Sequence, residues 1–337
     1  MRIRAFFPLL LLSAMACKDE PAKPRQGPPP PEPIASDIVY NSAFDDKKAG
    51  VGPVVTPDAG PSDLPGLGDA PSKAKVVDAG AEPRTKLSYA FALGKPRTVT
   101  STLKISASED GAQGGGAQPP IKFTFTATPK TRDKVNGMVH FEIKVTAVDI
   151  AVGTGAGAPP DALAQKAALE KAFVGLEGAF DSSAQGDLDN VKFSDDKVPP
   201  QVSEMLELLS AAFEIMVVPL PSDPVGVGAK WTTVSNAGRG SKGTKTVTMT
   251  MTAKTDTGAT IKIDSVMAAP PMAISDPQAP PGTTLEVKGT GGYTIDLRFD
   301  GVAAKANGAQ NVEQIVKVPG GQAQKRGARI EQDLSSK

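Results

Sequence analysis

Apolar residues recur along this chain with two different periods, and the two periods mark two kinds of element. From about residue 86 the period is two. Tyr89, Phe91 and Leu93 alternate with other residues, as do Val99, Leu103 and Ile105, and then Ile121, Phe123 and Phe125. Val139, Phe141, Ile143, Val145 and Ala147 alternate with His140, Glu142, Lys144 and Thr146. Such a pattern gives one buried and one wet face, as antiparallel sheets allow. The apolar parity then slips to Val148, Ile150 and Val152, which predicts a β-bulge that bends the sheet. Later strands are predicted at Trp231–Val234, Thr246–Ala253, Ala259–Met267, Thr284–Gly289, Tyr293–Phe299, Val312–Val318 and Ala328–Leu334. Turn chemistry separates them at Asp256-Thr257-Gly258 and Asn307-Gly308, and Gln185-Gly186 predicts a hairpin turn. Residues 109–120 read as a hairpin tip and the proline-rich 268–282 as a long loop.

The second period is helical. Val202, Met205, Leu206, Leu209, Ala212, Phe213 and Met216 fall on one face, with Ser203, Glu204, Glu207, Ser210 and Glu214 on the other. Pro199 and Pro200 suit a helix entry, where the first turn needs no amide donors. Pro219, Pro221 and Pro224 forbid continuation. A helix is therefore predicted over about 200–217, with its apolar face laid against a sheet. After it come Val225-Gly226-Val227-Gly228 and Trp231, the only tryptophan. The indole is expected to pack under this turn with its N–H on a main-chain carbonyl. A second helix is predicted over about 161–176, with Asp161 as its N-cap and Ala162, Leu169, Phe173 and Leu176 as its apolar stripe. The expected fold is α+β: a curved, mainly antiparallel, half-barrel-like sheet with two helices packed on one face. The expected division is a leader over 1–16, a tether over 17–85 and a single folded domain over 86–337.

Composition separates the tether from the domain. Residues 18–84 are dominated by Pro, Ala, Gly and Asp and cannot bury enough apolar surface to order themselves. About 67 such residues have a reach of roughly 45 Å. Ile38, Val39, Tyr40 and Phe44 form one apolar island there, readable as linker stickiness or as a short partner-docking strand. Before the tether, Arg2 and Arg4 precede an apolar run too short to span a bilayer, and the run ends at Ala14-Met15-Ala16-Cys17. This resembles a bacterial lipoprotein signal, in which the cysteine becomes the lipidated first residue. Ala14 and Met15 depart from the usual lipobox, and Ala14-x-Ala16 also fits ordinary signal cleavage. Cys17 is the only cysteine, so it has no internal disulfide partner. Lys18 in the next position implies outer-membrane sorting. The helix, the Pro-x-Pro turn and Pro224 to Gly228 followed by Trp231 resemble an uncharacterised family of bacterial envelope proteins. The outline is also similar to half-barrel lipoprotein carriers, whose curved sheet wraps helices over an apolar groove. Neither resemblance implies catalytic residues.

Candidate chemistry is sparse. The single histidine, His140, falls on the wet face of its strand. With one histidine and one committed cysteine there is no ordinary zinc site, and no Gly-x-Ser-x-Gly elbow accompanies His140. Residues 238–245, GRGSKGTK, lack the Gly-Lys-Ser/Thr of a phosphate loop and read as a hairpin tip. Asp181, Asp187, Asp189, Asp195 and Asp196 form an acidic cluster without the ligand spacing of a calcium loop. Lys plus Arg number 37, as do Asp plus Glu, so no basic footprint points to nucleic acid. Three functional readings remain. The first is a non-enzymatic, lipid-anchored envelope module that acts through interaction or structure, meeting the membrane through its N-terminal lipid and a protein partner through its domain. The second is a carrier of a lipid or other amphiphile, held in a groove lined by Met205, Leu209, Phe213, Met216 and Trp231. The third, a hydrolase, lacks residues to support it. No metal or cofactor is expected.

Overall fold

The computed structural model describes residues 73–109, 119–151, 160–194, 209, 212–213, 215–236, 243–273 and 279–337. The alternating runs form one sheet of twelve strands, and every neighbouring pair is antiparallel. In sequence order these are β1 (Lys75–Asp78), β2 (Arg97–Glu109), β3 (Ile121–Arg132), β4 (Val139–Ile150), β5 (Glu177–Ser182) and β6 (Leu188–Phe193). They continue as β7 (Lys230–Asn236), β8 (Thr244–Lys254), β9 (Gly258–Ala273), β10 (Thr284–Arg298), β11 (Lys305–Lys317) and β12 (Gln324–Ser336). Their order across the sheet is β1-β7-β8-β9-β10-β11-β12-β2-β3-β4-β5-β6. The sheet is open, with β1 and β6 at its two edges.

The α+β expectation with two helices on one face is overturned. Strand makes up 60% of the described structure and the one continuously described helix, α1 (Pro160–Phe173), only 7%, so the described residues are mainly β. Helix α1 is a crossover from β4 to β5. It meets the core through Phe173, whose ring lies 5.6 Å from that of Phe123, and through the partly buried Leu169. Within the second predicted helix, Leu209, Ala212, Phe213, Ile215 and Met216 are helical and buried; residues 195–208 lie outside the described residues. Its predicted wet face, Ser203, Glu204, Glu207, Ser210 and Glu214, lies outside the described residues. Ile215, Val217 and Val218, which lie off the predicted stripe, are buried as well. It is a strap enclosed by the sheet.

Twelve strands side by side at about 4.8 Å would make a flat sheet roughly 50 Å wide. Yet Phe125 and Phe141 near one edge share a single core cluster with Trp231, Met249 and Ile261 near the other. The sheet must bend for that to happen, and the strap is what it bends around. Phe213 packs its ring 5.6 Å from Phe125, 6.0 Å from Phe180 and 5.3 Å from Phe193. The Leu220 N–H donates to the Gln185 carbonyl in the β5–β6 turn at 2.6 Å, and the Ala303 N–H to the Met216 carbonyl at 2.8 Å. Next to the other edge, on β7, the Trp231 Nε1–H donates to the Pro219 carbonyl at 2.8 Å, the kind of partner expected for it.

Residues 86–96, predicted to start with a strand, form none. Leu87, Tyr89 and Phe91 are buried as an extended filler beside the strap, and Leu93 is left 46% exposed. The backbone is already a strand at Lys75 and is paired to β7 there. The bulge expected near Thr146 is present: Phe125 pairs with Val145 and Thr124 with Ala147. Three breaks expected in the later meander are absent. Thr284–Gly289 and Tyr293–Phe299 run together as β10, Asn307-Gly308 lies within β11, and β9 continues through Pro270 and Pro271. The two prolines are tolerated because β8 ends opposite Ala268 and the β9–β10 register shifts beside them, so no ladder bond needs their missing N–H. Gly308 is held in the strand because a Cβ there would meet the Gly292 carbonyl and Tyr293.

Tyr89 tests the strap's hold. Its hydroxyl donates to the Val218 carbonyl at 3.2 Å and accepts from the Val218 N–H at 3.0 Å. Full burial raises its pKa far above the usual phenol range. Tyr89→Phe keeps the ring and strands both Val218 groups. It is expected to cost about 1–3 kcal/mol in urea unfolding, and an unchanged midpoint would contradict this account of the strap.

Candidate functional site

A polar depression lies on the outward face at the β6 end of the sheet. Strand register builds it. Thr131 of β3 pairs with His140 of β4, His140 with Asp181 of β5, and Asp181 with Asp189 of β6. Directly opposed residues share a face, so four strands present Thr131, His140, Asp181 and Asp189 in one row. The β3–β4 hairpin closes the row on one side. Its tip is tied by Asp133 N–H to the Met138 carbonyl at 2.8 Å and by Gly137 N–H to the Asp133 carbonyl at 3.0 Å. Between the two hairpins lies a depression of about 340 Å³, to which Arg132, Asp133 and Asn190 also contribute.

Asp181 organises the depression. Its Oδ1 lies 2.8 Å from His140 Nδ1, and its Oδ2 accepts from Asn190 Nδ2 at 2.8 Å. Asn190 holds a left-handed φ of 52°, a conformation Asn tolerates better than most residues. In that conformation its backbone N–H donates to Asp189 Oδ1 at 2.8 Å. The Asp181 side chain is 23% exposed and the His140 side chain 43%, so solvent reaches the imidazole while the carboxylate is committed to two partners. The arrangement can offer hydrogen bonds and mixed charge to a surface ligand. Among the described residues no group of three or more His, Cys, Asp and Glu is placed to hold a metal ion.

The acidic cluster read from the sequence divides in space. Asp181 and Asp189 enter the depression, whereas Asp187 accepts from Ser183 Oγ at 2.8 Å and belongs to the β5–β6 turn. Asp195 and Asp196 lie outside the described residues. The candidate groove residues go elsewhere. Leu209, Phe213, Met216 and Trp231 are all fully buried core residues, and Met205 lies outside the described residues, as do Cys17 and the tether up to residue 72; β1 falls within the bounds expected for the tether. Gly243, from the glycine-rich stretch that lacks a phosphate-loop motif, packs against Ala269, with no room for a Cβ. Sequence reasoning places His140 on a wet face but gives it no partner. The two-strand register that brings Asp181 beside it is a tertiary fact, and its one local signal is the hairpin turn at Gln185-Gly186.

Strong charge pairing elsewhere on the surface is structural. The Arg298 guanidinium, with Arg97 nearby, holds the Asp300 carboxyl below the usual carboxylate range. Lys288 and then Lys317 do the same for Glu286. No described helix is long and apolar enough to cross a membrane. In the depression, Asp181→Ala removes the shared acceptor of His140 and Asn190. It is expected to destabilise the domain by about 1–2 kcal/mol and to speed amide exchange through the β5–β6 hairpin. Unaltered exchange there would mean that Asp181 does not hold the row. In comparisons with known proteins, no family model and no curated protein matches this sequence.

Proposed function

We propose that this protein is a non-enzymatic module of the bacterial cell envelope, anchored by a lipid at Cys17, sorted to the outer membrane and acting through its surface. The observation that carries the reading is the strap. Residues expected to line an apolar groove between helix and sheet are instead spent on joining the two edges of the sheet, and Leu209, Phe213, Met216 and Trp231 have no free face. The His140–Asp181–Asp189 row is the surface feature such a module would offer to a polar partner. Its open volume and mixed charge suit hydrogen-bonded recognition more than apolar burial.

A second reading, carriage of an amphiphile, is supported by a different set of residues. The inward row continues past the core along the long strands through Val247, Met267, Val287, Val312 and Ile330, and these are only half-buried. Methionine and β-branched residues there would suit an adaptable apolar contact. Native mass spectrometry of the domain purified from its own envelope separates the two readings. The module reading expects no stoichiometric lipid, and a retained lipid at one per protein molecule would favour the carrier. The anchor is checked separately: Cys17→Ser is expected to move the protein from the membrane fraction to the soluble one, and continued membrane association would refute lipidation.

A further inference from the structure

The tip of the β3–β4 hairpin carries a reactive pair that the depression's hydrogen bonds do not use. Asn136 is exposed and precedes Gly137, which has a φ of 74° and open space where a Cβ would stand. No side chain therefore shields the Asn136 amide carbon, Cγ, from the Gly137 backbone nitrogen. Asn136 Oδ1 accepts from the Met138 N–H at 2.9 Å. That donor draws electron density from the amide carbon and would stabilise negative charge building on the oxygen during attack. The Gly137 N–H donates to the Asp133 carbonyl, so attack requires that turn bond to open. It lies beside Val135, which is 96% exposed, and opening an exposed tip costs far less than unfolding the sheet.

The sequence has one other Asn-Gly pair, Asn307-Gly308, and its setting is opposite. Asn307 sits in β11 between Thr294 of β10 and Asp333 of β12. Bringing the Gly308 nitrogen onto the Asn307 amide would require both ladders to open.

We propose that Asn136 is a site of spontaneous covalent modification, cyclising onto Gly137 and hydrolysing to aspartate and isoaspartate, which adds a carboxylate beside the His140–Asp181 depression. The Gly137 nitrogen gives up its proton and forms a bond to Asn136 Cγ. The Cγ–Nδ2 bond breaks and Nδ2, taking up a proton, leaves as ammonia. Water then opens the resulting succinimide at either carbonyl, with nothing oxidised or reduced. The new carboxylate joins Asp133, Asp181 and Asp189 around the depression, opposite Arg132. The isoaspartate product also lengthens the backbone at the tip, so it loses the Met138 contact that the asparagine makes.

The two pairs fall on separate tryptic peptides, residues 135–144 and 306–317, so one digest reads both. The folded full-length protein is incubated at mildly alkaline pH, digested, and mapped by mass and retention time. The 135–144 peptide is expected to gain about 1 Da, as an amide becomes an acid, split between two retention times. It should convert at least about tenfold faster than 306–317, and in urea the two rates should converge. Asn136→Ser, which keeps a short acceptor for the Met138 N–H, should abolish the shift at 135–144 and leave 306–317 unaltered. An unconverted 135–144 peptide in folded protein that converts in urea would overturn the proposal. Equal rates for the two peptides in folded protein would do the same.

Discussion

The structure depends on the strap between β6 and β7. In strand order β6 is one edge and β7 the neighbour of the other edge strand, β1, so the backbone must cross nearly the full width of the sheet between them. It crosses on the inside. Phe213 fills the space against β3, β5 and β6, and the Pro219 carbonyl receives the indole N–H of β7. The Met216 carbonyl, between those two contacts, accepts from the Ala303 N–H, and the Leu220 N–H just beyond Pro219 donates to the Gln185 carbonyl. An open sheet of this width has no closure of its own to set its curvature. The volume and bond geometry of the strap set it instead. Fully burying a large apolar side chain stabilises by about 1.5–3 kcal/mol each, and here the burial is shared between both ends of the sheet.

An open sheet also leaves two edges with unpaired backbone groups, and the fold limits both. Strand β1 has four residues and β6 six. At β6 the left-handed Asn190 and the bulge in the β5–β6 register twist the edge. Beyond β1 the backbone goes on bonding to the strap, with Ala81 N–H on the Val227 carbonyl, Gly226 N–H on the Ala79 carbonyl, and Thr85 and Val225 exchanging both bonds. Gly226 is required there because a Cβ would collide with the Ala81 carbonyl. The glycines read from sequence as giving a sharp backbone path serve a close approach of two segments.

The strands were the most legible part of the fold, because alternation is a local record of which face is buried. Val139 to Val145 alternate in sequence and are buried in structure, and the parity slip after Ala147 coincides with the observed bulge. What local pattern misread has a common cause. Tyr89 and Phe91 alternate as a strand would, yet they are buried by the strap and filler segments rather than by ladder pairing. The stripe from Leu209 to Met216 was real, but periodicity could not reveal that Ile215 and Val217 on other faces are also covered. Thr284–Gly289 and Tyr293–Phe299 read as two strands, with Gly289, Gly291 and Gly292 at their junction. They remain in β10 because the ladder on both sides supplies pairing that glycine's weak strand propensity would not secure alone. The His140 site was half legible: the exposed face followed from parity, whereas Asp181 lies 41 residues away and became its neighbour only through register.

Polar satisfaction bears on where a ligand could find directional partners. Among the described residues no buried side-chain nitrogen or oxygen lacks a hydrogen-bond partner. Ser101 and Gln332 are buried, but they bond to each other at 3.2 Å. Tyr89 is committed to Val218 and Trp231 to Pro219. The described core therefore presents no unused directional group by which to orient a ligand, and specificity in binding sites comes from a few such groups set in an apolar lining. Any ligand in the interior would have to displace a protein bond to gain one. The outward row imposes no such exchange: the His140 imidazole is half in water and carries one protein partner within a depression wide enough for another molecule's polar groups. On this physical ground the strap gives the domain its shape, and the polar groups with room for a further partner lie on the surface that the strap leaves open.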